Sequence, residues 1–156
     1  MELSIRSMNE DFAVQILNWR YEPPYDFYNN EINPDALKEL LDNPYYIVLD
    51  QNEEFVGFFC YGSSAQVPIG SQYGAYSEGF VDLGLGMNPR LTGHGLGATF
   101  FKFILLYLQG EFFGIPLRLT VAKFNNRAIH LYEKFGFVRK IEFKNGPINF
   151  LTMVKE

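Results

Sequence analysis

Residues 88–98 read NPRLTGHGLGA and lie between a strand-like segment and a long apolar run. The stretch carries three glycines spaced two apart, at Gly93, Gly95 and Gly97. Glycine permits left-handed backbone angles and lets a ligand approach the main chain closely. Because a helix is expected directly after the loop, we expect the loop N–H groups and the positive N-terminal end of the helix dipole to point toward the same site. The stretch therefore predicts a strand, a loop and a helix that together hold an anion such as phosphate.

The segments around this loop show the hydrophobic patterns of both strands and helices. Strands are expected at 3–5, 45–49, 55–61, 80–87, 117–121, 137–143 and 148–154. Helices are expected near 9–19, 33–41, 95–110 and 125–135, with Asn9 and either Asn33 or Asp35 as caps. Residues 62–77, rich in Gly, Ser and Gln, are expected to form an irregular loop. The order of these segments predicts a mixed α/β sheet.

The composition limits the class of protein. The chain has 156 residues, 47% hydrophobic and 20% charged, so residues 1–156 are expected to form a single globular domain. A net charge of −5 argues against nucleic-acid binding and suits a cationic substrate. No segment reads as a signal peptide or membrane span, so a cytoplasmic protein is expected. The single cysteine, Cys60, is expected to be a buried, inert thiol.

The glycine loop alone leaves several interpretations open. Gly93-x-Gly95-x-x-Ala98 also fits the dinucleotide fingerprint, which expects an acidic residue about 20 positions later. The next predicted strand instead ends at Val121-Ala122-Lys123, without an acid. A Walker-type phosphate loop is disfavoured because no Gly-Lys-Ser/Thr follows. A tight structural turn into a helix remains a further alternative.

A second motif, NNRAIHLYEKFGF at 125–137, lies one strand and one helix downstream. Together with Pro89-x-x-Thr92-Gly93-x-Gly95-Leu96-Gly97, it closely resembles the GNAT superfamily of N-acetyltransferases. The resemblance covers about a third of the chain. It implies a central mixed, mostly antiparallel sheet of six to seven strands flanked by about four helices. It also implies transfer of an acetyl group from acetyl-coenzyme A to a primary amine of a small molecule or peptide.

The resemblance assigns roles to the cofactor-binding residues. The backbone of Leu85, Gly86 and Met87 would pair with the pantetheine arm, and Asn125 would hydrogen-bond it. The alternative for Asn125 is a plain helix cap. The pyrophosphate would lie on the loop residues Thr92, Gly93, His94, Gly95, Leu96, Gly97 and Ala98. The family usually carries Gln or Arg where this chain has Thr92, so one charge-assisted phosphate contact is expected to be missing.

The catalytic candidates follow from the needs of thioester aminolysis. The resemblance implies that Tyr132 protonates the leaving thiolate. The alternative is that Tyr132 is a core residue without a catalytic role. Met87 is the expected oxyanion donor through its backbone N–H. Asp82 or Glu78 could take the amine proton through water. Asp82, in mid-strand, is favoured slightly, and its alternative is a solvated carboxylate.

The acceptor pocket is expected between the first helices, where rings and carboxylates alternate. These residues suit an amine cation, although a loop packed on the core is the alternative; they are Tyr21, Glu22, Tyr25 and Tyr28. No residue cluster has metal-ligand spacing, so no metal is expected. A homodimer is among the expected assemblies. The rival function is a catalytically silent acyl-coenzyme A-binding sensor, which would keep the glycines and Asn125 without turnover.

Overall fold

The computed structural model describes residues 2–156 of the chain. Within these residues lie seven strands, namely β1 (Ser4–Ser7), β2 (Tyr45–Leu49), β3 (Phe55–Tyr61), β4 (Val81–Met87), β5 (Leu117–Ala122), β6 (Val138–Asn145) and β7 (Ile148–Lys155). The same residues contain four α-helices, namely α1 (Glu10–Asn18), α2 (Pro34–Asp42), α3 (Gly97–Glu111) and α4 (Asn126–Lys134). The predicted numbers of strands and helices are confirmed.

The strands form one mixed sheet in the order β1-β2-β3-β4-β5-β7-β6. The β4–β5 pair is parallel and matches Val81–Leu83 with Leu117–Leu119. The β1–β2, β2–β3, β5–β7 and β6–β7 pairs are antiparallel. The predicted mixed, mostly antiparallel sheet is therefore confirmed. The chain packs into two compact units, one formed by the residues up to Cys60 with Leu85–Phe101 and one by Tyr61–Gly84 with Lys102–Glu156.

The core of the first unit lies where α1 and α2 pack on the antiparallel strands. Asn9 and Asn33 cap the two helices, because their side-chain oxygens accept the N–H groups of Phe12 and Ala36 at 2.9 and 2.8 Å. Both helices thus begin where the sequence predicts. Their apolar faces bury a cluster made of Ala13, Ile16, Leu17, Leu40, Ile47, Leu49 and Phe55.

The second unit contains the β6–β7 hairpin and the segment 62–80. Two short 3-10 helices, Gly62–Ala65 and Pro68–Tyr73, replace the irregular loop expected at 62–77. This segment is ordered because it packs on a small core that includes Ala75, Ala122, Phe143 and Phe150. The absence of a hydrophobic period in 62–77 concealed that packing from the sequence pattern.

Candidate functional site

The glycine loop begins at a buried asparagine that ties it to β3. Asn88 is 7% exposed. Its backbone N–H donates to the Val56 carbonyl and its side-chain amide to the Phe55 carbonyl, both at 2.9 Å. Its Oδ1 accepts the Arg90 N–H at 3.1 Å. Asn88 therefore holds the end of β4 and the start of the loop in one position, a role that the sequence analysis missed.

The middle of the loop presents bare backbone to solvent. Gly93 and Gly95 have φ angles of 78° and 76°, and a Cβ on either would meet no atom within 4 Å. Residues 91–95 form turns, and the N–H groups of the first turn of α3 have no partner within the helix. His94 between the two glycines is exposed, and α3 begins at Gly97. Exposed glycine backbone directly before a helix N-terminus is an arrangement that suits an anion.

Thr92 is turned toward the loop's own backbone. Its hydroxyl donates to the Pro89 carbonyl at 2.9 Å, and the residue is half-buried. The hydroxyl therefore shapes the turn, and the loop offers an anion its main chain rather than a side-chain cation at this position. Arg90, two residues earlier, is exposed.

β3 is packed tightly against the end of β4 and against Phe100 of α3. A Cβ on Gly86 would lie 2.4 Å from the Phe58 ring. A Cβ on Gly57 would lie 2.5 Å from both the Gly86 carbonyl oxygen and the Phe100 ring. These two glycines are therefore needed for close approach of the protein's own groups.

We expect Gly57→Ala to lower the free energy of unfolding by about 1–3 kcal/mol, because the Gly86 carbonyl cannot move without shifting β4. The control is Gly110→Ala in α3, where a Cβ would meet nothing within 4 Å. This change should raise stability by up to about 1 kcal/mol, since alanine favours helix over glycine. Urea denaturation measures both, and equal stabilities for the two variants would contradict the packing described here.

Tyr21 brings the predicted acceptor segment to the end of β4. Its hydroxyl donates to the Met87 carbonyl at 2.6 Å, and its backbone N–H donates to Asn29 Oδ1 at 2.7 Å. Burial raises the pKa of the Tyr21 phenol, so the hydroxyl stays protonated at neutral pH. The other predicted acceptor residues lie nearby in the chain and are less buried, with Tyr25 half-buried and Glu22 and Tyr28 exposed.

Asp82 lies in the second unit in a buried ion pair, where it is 3% exposed. Arg118 donates through Nε to Oδ1 at 2.6 Å and through Nη2 to Oδ2 at 2.8 Å. Gln66 donates to Oδ2 at 2.9 Å. This geometry corrects the favoured assignment of Asp82 as general base, because both oxygens are already engaged and shielded from water. The alternative of a solvated carboxylate is also wrong.

Arg118 in turn holds the segment before β4. Its Nη1 donates to the Ser77 carbonyl at 2.9 Å. Its guanidinium carbon lies 5.3 Å from the ring centroid of Tyr76 and 4.8 Å from that of Phe80. Asp82 and Arg118 therefore serve to fix β4 and β5 with the segment 62–80.

The remaining predicted catalytic and cofactor residues also belong to the second unit. Glu78 is exposed in a bend just before β4. Asn125 caps α4, because its Oδ1 accepts the Ala128 N–H at 3.1 Å. Tyr132 is half-buried on α4, with its ring centroid 6.3 Å from that of Phe137.

Comparison with known proteins identifies the family of the chain. The model of the acetyltransferase (GNAT) family matches residues 11–137. The chain belongs to this family. The matched region contains the glycine loop as well as Asn125 and Tyr132. No curated protein is similar enough in sequence to count as a relative.

Solved structures of GNAT acetyltransferases share the fold. A spermidine N-acetyltransferase from Vibrio cholerae, in complex with CoA and spermine, is 22% identical with a TM-score of 0.74, covering 99% of this chain and 95% of that one. A GNAT-family acetyltransferase from Bacillus anthracis is 14% identical with a TM-score of 0.73, covering 99% and 95%. An aminoglycoside acetyltransferase in complex with coenzyme A is 18% identical with a TM-score of 0.73, covering 99% and 94%. These likenesses confirm the predicted fold.

In residues 2–156 of this GNAT-family chain, no helix has the length and apolarity needed to cross a bilayer. The residues that sequence reasoning missed are polar side chains whose partners are remote in the chain, namely Asn29, Gln66, Asn88 and Arg118. A polar residue directly after a buried strand, as at Asn88, was the one available signal.

Proposed function

We propose that residues 1–156 of this GNAT-family chain act as one acetyl-coenzyme A-dependent N-acetyltransferase domain. The acceptor would be a primary amine of a small molecule or peptide. The observation that carries the proposal is the exposed glycine loop between β4 and α3, where Gly93 and Gly95 have positive φ angles and open space around their Cβ positions. The net charge of −5 favours a cationic amine over an anionic acceptor.

The residues present fit acetyl-coenzyme A. The amides of residues 93–98 would hold its pyrophosphate. The space for the phosphate beside Gly93 and Gly95 is open because neither residue has a Cβ. The backbone of Leu85 and Met87, on either side of Gly86, would pair with the pantetheine arm. The main chain of Thr92, His94, Leu96, Gly97 and Ala98 would complete the pyrophosphate cradle. Asn125 would hydrogen-bond the pantetheine arm while also capping α4.

The chemistry needs three functions from the protein. When bound, acetyl-coenzyme A supplies an acetyl thioester whose C–S bond breaks as the C–N bond to the amine forms. The Met87 N–H would stabilise negative charge on the carbonyl oxygen. Tyr132 would donate its proton to the departing thiolate. Glu78, exposed before β4, would take the amine proton through water, and this assignment replaces Asp82.

The binding part of the proposal is tested with Gly95→Ala. We expect affinity for coenzyme A to fall about tenfold or more, because the new methyl group would occupy the space where phosphate meets the loop amides. Isothermal titration calorimetry with coenzyme A measures the loss.

Gly114→Ala is the matched control, since Gly114 also has a positive φ, 79°, and open space around its Cβ position. Both variants bear the same backbone strain of about 1–2 kcal/mol. Only Gly95→Ala should lose affinity for coenzyme A. Equal affinities in the two variants would refute the assignment of the loop.

A further inference from the structure

The hydroxyl of Tyr21 meets β4 on one particular edge of the strand. Asn88, the next residue after β4, directs its N–H to the Val56 carbonyl of β3. Two residues earlier, the Gly86 carbonyl oxygen is also close to β3, because it lies 2.5 Å from the position that a Cβ on Gly57 would take. Because successive residues of a strand direct their N–H and C=O groups to opposite edges, Met87 directs both of its groups away from β3. The Tyr21 hydroxyl therefore lies on the same edge as the Met87 N–H.

The hydroxyl is held in this place before any ligand binds. Tyr21 lies two residues after Trp19, which is packed against β3. The Trp19 ring centroid lies 4.8 Å from that of Phe55 and 6.0 Å from that of Phe58. The Tyr21 backbone is fixed by Asn29 Oδ1 at 2.7 Å, which closes the loop 21–29 at its base. The hydroxyl itself is fixed by the Met87 carbonyl at 2.6 Å. Groups fixed in advance cost no reorganisation when a substrate arrives.

The Tyr21 phenol has a single proton, and this limits the kind of further hydrogen-bond partner that its oxygen can have. A tyrosine hydroxyl has one proton to donate, and here the Met87 carbonyl accepts it. Burial raises the pKa of the phenol, so the proton is retained at neutral pH. The oxygen is left with lone pairs only. Any further partner must therefore be a hydrogen-bond donor, as an amine is.

We infer that the Tyr21 oxygen accepts an N–H of the incoming amine and orients its nitrogen toward the thioester carbonyl held by the Met87 N–H. The inference rests on the proposed transferase function. It assigns Tyr21 a direct contact with the acceptor, in place of the ring-face contact expected from the sequence. The amine nitrogen keeps its lone pair for attack, and Tyr21 gives up no proton in the step.

The test compares Tyr21→Phe with Tyr45→Phe. Tyr45 is a matched control because it is half-buried in the same unit, its pKa is likewise raised by burial, and its hydroxyl bonds Glu39 Oε2 at 2.9 Å. Thiol release is measured against a panel of primary amines that includes a polyamine and an aminoglycoside. Calorimetry with coenzyme A is run on the same proteins.

For Tyr21→Phe we expect kcat/KM for the amine to fall about 10- to 100-fold, as on loss of a hydrogen bond to a group that becomes charged. Affinity for coenzyme A should stay unchanged, and Tyr45→Phe should match the wild type in both measurements. Equal losses of coenzyme A affinity and amine transfer would show that Tyr21 only supports β4, and would overturn the inference. Unchanged amine kinetics would overturn it as well. A wild type that binds coenzyme A but transfers to no amine would refute the proposed function itself.

Discussion

Asp82→Ala is expected to lower the free energy of unfolding by about 3–5 kcal/mol, because it leaves a buried guanidinium without its counterion. Arg118 is 3% exposed and would keep its bonds to the carbonyl and hydroxyl of Ser77 and its ring contacts, all of which are uncharged. Gln66 would lose its acceptor as well. Urea denaturation followed by circular dichroism measures the loss.

The control for this change is the exposed ion pair between Lys123 and Glu142. Its atoms are 3.0 Å apart, and its side chains are 42% and 54% exposed. Glu142→Ala should therefore change stability by no more than about 1 kcal/mol. If Asp82→Ala proved as mild as Glu142→Ala, the buried pair would not hold the segment 62–80 against β4 and β5.

Tyr132→Phe is expected to lower kcat for amine acetylation about 100-fold or more, the contribution of a positioned general acid. The KM for acetyl-coenzyme A should stay unchanged, because in the proposed role the hydroxyl would act on the departing thiolate and not on the bound ground state. Phenylalanine keeps the ring contact with Phe137. Steady-state thiol release at varied acetyl-coenzyme A measures both constants.

Tyr73→Phe is the control for the loss of a phenol in the same unit. Tyr73 is 52% exposed, and its ring stacks on Phe143, a contact that phenylalanine keeps. This variant should keep the wild-type kcat. A Tyr132→Phe enzyme as fast as Tyr73→Phe would remove Tyr132 as the acid.

The parts of the fold that the sequence predicted are those set by local chemistry. Period-two and helical patterns located the strands and helices, and the capping oxygens of Asn9 and Asn33 located helix starts. Asp82 shows the limit. Its partner Arg118 lies 36 residues away, and no pattern along the chain indicates that strand pairing brings them together. The sequence alone therefore does not reveal that Asp82 is the partner in a buried ion pair and neither a base nor a solvated carboxylate.

In the candidate site, too, the sequence predicts local features and misses contacts between residues that are remote in the chain. The glycine loop can be predicted from the sequence because the positive φ angles at positions 93 and 95 favour glycine. Tyr21 was selected for its ring, yet the structure places its hydroxyl on the carbonyl of Met87, 66 residues away. The role of Asn88 cannot be predicted from the motif, because its partners lie on β3.

The transferase activity proposed for this chain is measured as thiol release from acetyl-coenzyme A in the presence of the amine panel, with the products analysed by mass spectrometry. We expect at least one primary amine to gain an acetyl group, with one thiol released per acetylated amine. Tight binding of acetyl-coenzyme A with no thiol release above the protein-free rate for any amine would contradict it.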